Sequence, residues 1–197
     1  MPESIEIHGA TGGLIKPMPD SDLSVHETNG LHIWSVQSNH LHSLKDYFQE
    51  KFNAKLRTGQ MLLLDDWRLI KVSPGRAFLI SAKPTLPPTS ARYETMLTDV
   101  SHGYCELCLS GKQSFDFTSL YLSADLNKVA SMDTNSLRCR FGQYNCLLYW
   151  DDIDQVRILI ERSYAQSFRD YLNHLMLRHD WKSSPNSNFI TDNNYDD

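Results

Sequence analysis

The sequence predicts an α+β fold, with duplicated strand-helix-hairpin units whose antiparallel sheets carry helices packed on them. Three observations carry that prediction. A strand, a helix and a β-hairpin follow one another twice, over pseudo-repeats 31–82 and 96–180. The two hairpins match in pattern, Leu69-Ile70-Lys71-Val72 and Ala77-Phe78-Leu79-Ile80-Ser81 against Leu147-Leu148-Tyr149-Trp150 and Val156-Arg157-Ile158-Leu159-Ile160-Glu161. An amphipathic helix then closes the second unit. Elements in this order pair as antiparallel sheets with helices laid on one face.

Residues 1–22 carry Gly9, Gly12, Gly13, Pro17 and Pro19 with few apolar side chains, and read as a flexible leader. The domain proper is expected over 23–181. Leu31 to Val36 alternates as a half-buried strand does. Ser38 or Asn39 can then cap a helix whose apolar face is Leu41, Leu44, Phe48 and Phe52, at spacings of three and four. Met61 to Leu64 is a short strand, broken at Asp65-Asp66. Ser73-Pro74-Gly75-Arg76 supplies turn chemistry between the first pair of hairpin strands. Pro84, Pro87 and Pro88 make residues 83–90 a connector.

In the second unit a strand is expected from Met96 to about Leu109, a helix from Phe115 to Leu126, and one long β-type run from Cys139 to Trp150. Asp151-Asp152-Ile153-Asp154 is a turn before a strand from Gln155 to Glu161. Ser163-Tyr164-Ala165-Gln166 fits a capping box, and Tyr164, Phe168, Tyr171, Leu172, Leu175 and Met176 form the stripe of the closing helix. Residues 182–197, rich in Ser, Asn and Asp, read as a disordered acidic tail.

Composition bounds the function. The chain has 197 residues, 41% hydrophobic and 22% charged, which suits a folded protein with its own core. A formal charge of −5 argues against recognition of nucleic acid through phosphate contacts. No apolar run approaches the roughly 20 residues that span a bilayer. The first residues have neither the basic nor the apolar region of a secretory signal, and four cysteines do not make a disulfide scaffold, so a cytoplasmic setting is expected.

Candidate chemistry is sparse. His102, Cys105 and Cys108, with Cys139 and Cys146 downstream, come nearest to a metal site. Zinc needs four ligands converging in a tetrahedron, and Cys105 and Cys108 lie three apart in a strand, where their thiols point to opposite faces. His102 with either thiol could form a thiolate couple, but no helix N-terminus is there to activate one. Gly9 to Gly13 lacks the strand before and the helix after that give a phosphate loop its meaning. Asp65-Asp66 and Asp151-Asp152 could pair for acid–base work, yet each sits at a bend where Asp serves turns. Trp34, Trp67, Trp150 and Trp181 read as core or interface aromatics. No catalytic residue and no metal site is assigned, which favours an interaction subunit.

Thr98-Asp99-Val100-Ser101-His102-Gly103-Tyr104-Cys105-Glu106-Leu107-Cys108-Leu109-Ser110-Gly111 resembles the opening strand of the gamma subunit of heterotetrameric sarcosine oxidase. The hairpin that ends in Arg162-Ser163-Tyr164-Ala165 and the closing helix are similar to that family too. The resembling motif residues are Asp99, Ser101, Gly103, Ser110, Gly111, Arg162 and Ser163; Lys112 departs from the family's usual proline. The resemblance implies a fold like the folate-binding domain of the glycine-cleavage aminomethyltransferase. It implies a non-catalytic chain in a complex with alpha, beta and delta subunits that oxidatively demethylates sarcosine to glycine and passes the one-carbon unit to tetrahydrofolate. FAD, FMN, NAD, folate and zinc are then implied for the partner chains, and no cofactor for this one. The similar subunit of N-methylglutamate dehydrogenase fits equally. The rival reading is a stand-alone folate-binding one-carbon transferase, for which Asp99 is the candidate carboxylate; its alternative role is a turn aspartate bonding nearby N–H groups.

Overall fold

Ten strands among the described residues pair into two five-stranded antiparallel sheets. The computed structural model describes residues 23–40, 43–89 and 95–178, so the expected leader, the acidic tail, Leu41 of the first helix face, Trp181 and the Gly9–Gly13 loop lie outside the described residues. The elements are β1 (Ser24–Thr28), β2 (His32–Ser38), α1 (Ser43–Phe52), β3 (Gln60–Leu64), β4 (Trp67–Ser73), β5 (Arg76–Ser81) and β6 (Thr95–Asp99). A 3-10 turn, Ser101–Gly103, leads to β7 (Tyr104–Ser110), α2 (Ser114–Tyr121), α3 (Leu126–Ala130), β8 (Ser136–Phe141), β9 (Tyr144–Asp152) and β10 (Gln155–Glu161). A second 3-10 turn, Arg162–Tyr164, enters α4 (Ala165–Arg178).

One sheet runs β3-β4-β5-β2-β6 and the other β1-β7-β10-β9-β8. The order β3-β4-β5-β2 is the same as β8-β9-β10-β7, so strand-helix-hairpin segments build both sheets alike. Each sheet then takes its fifth strand from the segment that leads into the other. β1 precedes β2 in the chain but pairs with β7, as Val25 opposite Leu109. β6 precedes β7 but pairs with β2, as Trp34 opposite Asp99. The exchange ties the sheets together through the backbone.

Alternation along the strands sorts the apolar side chains into three cores. Leu69, Leu79 and Val36 face α1, packing on Leu44, Tyr47 and Phe48. Leu107, Leu148 and Ile158 face the other helices, packing on Phe117, Phe168 and Leu172. Ile33, Ile70, Phe78 and Ile80 meet Leu147, Tyr149 and Leu159 between the sheets. The molecule is therefore layered helix, sheet, sheet, helix. Strands buried on both faces lose the plain apolar–polar alternation, which is why the second hairpin reads as a continuous apolar run.

The structure corrects the expected elements in five places. The strand expected from Met96 to Leu109 is two, β6 and β7, parted by a 3-10 turn and belonging to different sheets. Periodicity could not show the break, because both pieces are extended. The run from Cys139 to Trp150 is a hairpin, β8 and β9, turning at Gly142 with φ +56°. A Cβ at Gly142 would land on the Tyr171 phenol above it. The helix expected to reach Leu126 stops at Tyr121, and the short α3 follows, capped by Asp125, whose carboxylate accepts the Lys128 N–H at 3.1 Å. The helix after β2 is described from Ser43, residues 39 and 40 are bends outside it, and Ser38 caps a local turn instead, accepting the His40 N–H. α4 enters through the turn at Arg162–Tyr164 in place of a capping box. Its stripe does pack as expected: Phe168, Leu172, Leu175 and Met176 are buried, while Tyr164 is 51% exposed.

Candidate functional site

The turn between β6 and β7 is where the two sheets join, and most of the motif residues gather there. Asp99 ends β6. Its Oδ1 accepts the Ser101 N–H at 2.9 Å and the Ser101 hydroxyl at 2.6 Å. The Ser101 Oγ in turn accepts the Ile33 N–H at 2.9 Å, and the Val100 N–H donates to the Ile33 carbonyl at 2.8 Å. The Asp-x-Ser spacing is what lets one carboxylate hold a turn in this way. The two Ser101 bonds, hydroxyl first, hold the Asp99 carboxyl below its ordinary value, although it is exposed. Gly103 closes the turn by donating to the Val100 carbonyl.

A cavity of about 500 Å³ lies beside this turn, lined by Asp99, Ser101, His32, His102, Glu27 and Arg162 among others. Arg162 donates to the Tyr104 carbonyl at 3.0 Å, and Ser163 lies with it at the mouth of a neighbouring cleft. Ser110 and Gly111 are elsewhere, at the far end of β7. The Ser110 carbonyl accepts from Ser24, and Gly111, at φ +120°, donates to the Asp154 carbonyl. The motif thus divides into one cluster beside a cavity and one strand terminus.

Beneath the cavity sits a charged cluster that reading the sequence did not single out. Glu106 of β7 is fully buried on the face between the sheets. Its carboxylate accepts from the Tyr149 hydroxyl, pairs with Arg157 at 3.0 Å, and pairs with Arg68 at 3.6 Å. Arg157 and Tyr149 belong to the same sheet as Glu106, whereas Arg68 reaches across from β4. The one sequence signal was a lone Glu in an apolar strand, matched by a lone Arg in Val156-Arg157-Ile158-Leu159-Ile160. A charge in a run buried on both faces needs an opposite charge within reach.

The other candidate groups serve structure. Cys105 packs into the helix-side core, and desolvation, with the Glu27 charge beside it, pushes its thiol up to about 12. It is therefore protonated at neutral pH and no nucleophile. Cys108 lies on the opposite face, 3.5 Å from the Ser110 hydroxyl. Cys139 and Cys146 face each other across the β8–β9 hairpin as free thiols, Sγ to Sγ 3.9 Å, and their mutual hydrogen bond together with burial holds Cys146 protonated. Among the described residues no three His, Cys, Asp or Glu side chains are grouped so as to hold a metal ion. Asp65, at φ +49°, makes the β3–β4 turn beside Asp66, which pairs with Lys83 at 2.8 Å. Asp152 accepts the Asp154 N–H. Trp67 and Trp150 are buried core aromatics, and Trp34 is half-buried.

No helix among the described residues is long and apolar enough to cross a membrane. No protein-family model matches the sequence, and no curated protein matches it. The fold does have solved counterparts. A chain of the heterotetrameric sarcosine oxidase from Corynebacterium sp. U-96, solved with pyrrole 2-carboxylate, superimposes with a TM-score of 0.66 at 12% identity. That match covers 88% of this chain and 92% of that one. The glycine cleavage system aminomethyltransferase T from Bartonella henselae superimposes with a TM-score of 0.51 at 11% identity, over 77% of this chain and 45% of that one. The chain accordingly has an α+β, aminomethyltransferase-like fold.

Proposed function

We propose that this chain is a non-catalytic, gamma-type subunit of a sarcosine oxidase-like flavoenzyme complex. The observation that carries the reading is coextensive similarity. The match runs over 92% of the sarcosine oxidase chain but only 45% of the aminomethyltransferase. The motif from Thr98 to Gly111 supports the same assignment, since its Asp99 and Ser101 build the turn that joins the sheets. In this role the chain buries surface against alpha, beta and delta partners. FAD, FMN, NAD, folate and zinc would belong to those partners, and the complex would demethylate sarcosine or a related N-methyl amino acid such as N-methylglutamate.

The rival, a stand-alone folate-binding transferase, draws on one observation: Asp99 lines a cavity of about 500 Å³. Its carboxylate already holds the turn, which favours the subunit reading.

Co-expression with tagged large chains of a sarcosine oxidase-type enzyme from the same source decides between them. The expected result is co-purification of this chain, with flavin and sarcosine turnover found only in the assembled complex. Turnover of sarcosine by this chain alone, flavin retained by it through gel filtration, or saturable folate binding lost in Asp99→Asn would overturn the subunit reading. Comparing sarcosine with N-methylglutamate as substrate of the complex separates the two families.

A further inference from the structure

A second cavity, of about 450 Å³, opens into the layer between the sheets, and three arginines line it. Arg76 starts β5 in one sheet. Arg138 and Arg140 stand two apart on β8 at the edge of the other, so they leave the same face of that strand. Phe78, Leu147 and Leu159 line the cavity as well, and Glu161 is the one carboxylate of the lining. Among the described residues no carboxylate lies within 4.0 Å of Arg76, Arg138 or Arg140, whereas Arg57, Arg68, Arg157 and Arg169 each have one. The Arg76 guanidinium lies over the Phe78 ring at 5.2 Å, and its Nε is buried with no hydrogen-bond partner.

Edge strands carry charges that discourage pairing with other chains, and this explains exposed arginines on β8. It does not explain Arg76, which belongs to the other sheet and lines the same cavity. Guanidiniums with no acid beside them keep the planar forks of donors that carboxylates and phosphates accept from in bidentate fashion.

We propose that this cavity binds a small organic dianion: an apolar body carrying either two carboxylates or one phosphate. Three guanidiniums against one carboxylate suit a ligand with two negative charges. Phe78, Leu147 and Leu159 suit its carbon skeleton. The volume falls in the range of small-molecule sites, roughly 300–1,000 Å³. The proposal is independent of which complex the chain joins.

Calorimetric titration of the full chain, at ionic strength fixed with sodium chloride, tests it. The probes are isophthalate for the dicarboxylate class and phenyl phosphate for the phosphate class, with benzoate as the monoanion control. Saturable binding of one dianion is expected below about 1 mM, at least tenfold tighter than benzoate, and the tighter probe names the class. Binding should weaken at least tenfold in Arg76→Gln and in the double variant Arg138→Gln/Arg140→Gln, and be retained in Arg169→Gln, whose side chain pairs with Asp170. The exposed double variant carries the test should Arg76→Gln fail to fold. Absence of saturable binding by both dianions, or unchanged affinity in the double variant, would overturn the proposal. So would footprinting in which phenylglyoxal modification of Arg138 and Arg140 is blocked on assembly with partner chains but by neither probe; that pattern would assign the arginines to an acidic segment of a partner.

Discussion

Two sets of arginines occupy the layer between the sheets, and their surroundings differ. Arg68 and Arg157 close on Glu106, which is 0% exposed, and the Tyr149 hydroxyl completes its shell. Arg76, Arg138 and Arg140 line an open cavity with no carboxylate in pairing distance among the described residues. The first set spends its charge inside the protein and fixes how one sheet sits on the other. The second leaves its donors for something outside the chain. The same residue type thus reads as structure or as a binding site according to whether an acid folds in beside it.

The largest expected effect falls on the closed set. Glu106→Ala strands two half-buried guanidiniums and should cost about 3–5 kcal/mol of stability in urea melts. Replacing the whole set at once, Glu106→Leu with Arg68→Met, Arg157→Met and Tyr149→Phe, should recover most of that loss, because an apolar layer needs no counter-charge and leaves no hydroxyl unpaired. A loss below about 1 kcal/mol for Glu106→Ala would show that water reaches the cluster and erase the contrast.

Next comes Gly142→Ala, at the tip of the hairpin that presents Arg138 and Arg140. A left-handed backbone costs a residue with a Cβ roughly 1–2 kcal/mol, and the new methyl collides with Tyr171. The melt should shift by about that amount, and the affinity for the tighter dianion should fall with it, while the Glu106 cluster stays intact. Unchanged affinity would mean that the turn absorbs the methyl without moving Arg138 and Arg140.

Asp99→Ala should cost less, at most about 1 kcal/mol, since the carboxylate is exposed and water competes for its bonds. The effect has a pH signature. Folding holds the Asp99 carboxyl below its ordinary value, so its contribution is present above the usual carboxylate range and disappears as pH falls through the depressed value. The stability difference between wild type and Asp99→Ala should therefore narrow on acidification below about pH 4. A constant difference from pH 3 to pH 7 would remove the Ser101 turn as its cause.

The smallest effect belongs to the open set. Arg138→Gln/Arg140→Gln should change stability by no more than about 0.5 kcal/mol, and removing uncompensated like charges can raise it slightly. A large loss would place these arginines with the structural set after all.

The sequence by itself determined the α+β class, both hairpin patterns and the buried stripe of α4, because these rest on periodicity and local turn chemistry. Phe168 and Leu172, four apart, had to share a face, and Cys105 and Cys108, three apart in a strand, had to separate. Local pattern could not place the break between β6 and β7, since extended chain continues on both sides and only partner strands reveal that it changes sheet. Nor could it part β8 from β9 at Gly142-Gln143, a turn flanked by apolar residues on both sides. Of the candidate site, Asp99 and Ser101 were legible as a spaced pair. Glu106 was not, because its partners Arg157 and Arg68 lie 51 and 38 positions away; Arg157 meets it only when β7 and β10 pair, and Arg68 only when the two sheets stack. The tertiary structure alone decided which arginines find an acid and which do not, since pairing depends on distance across a layer that exists only after folding.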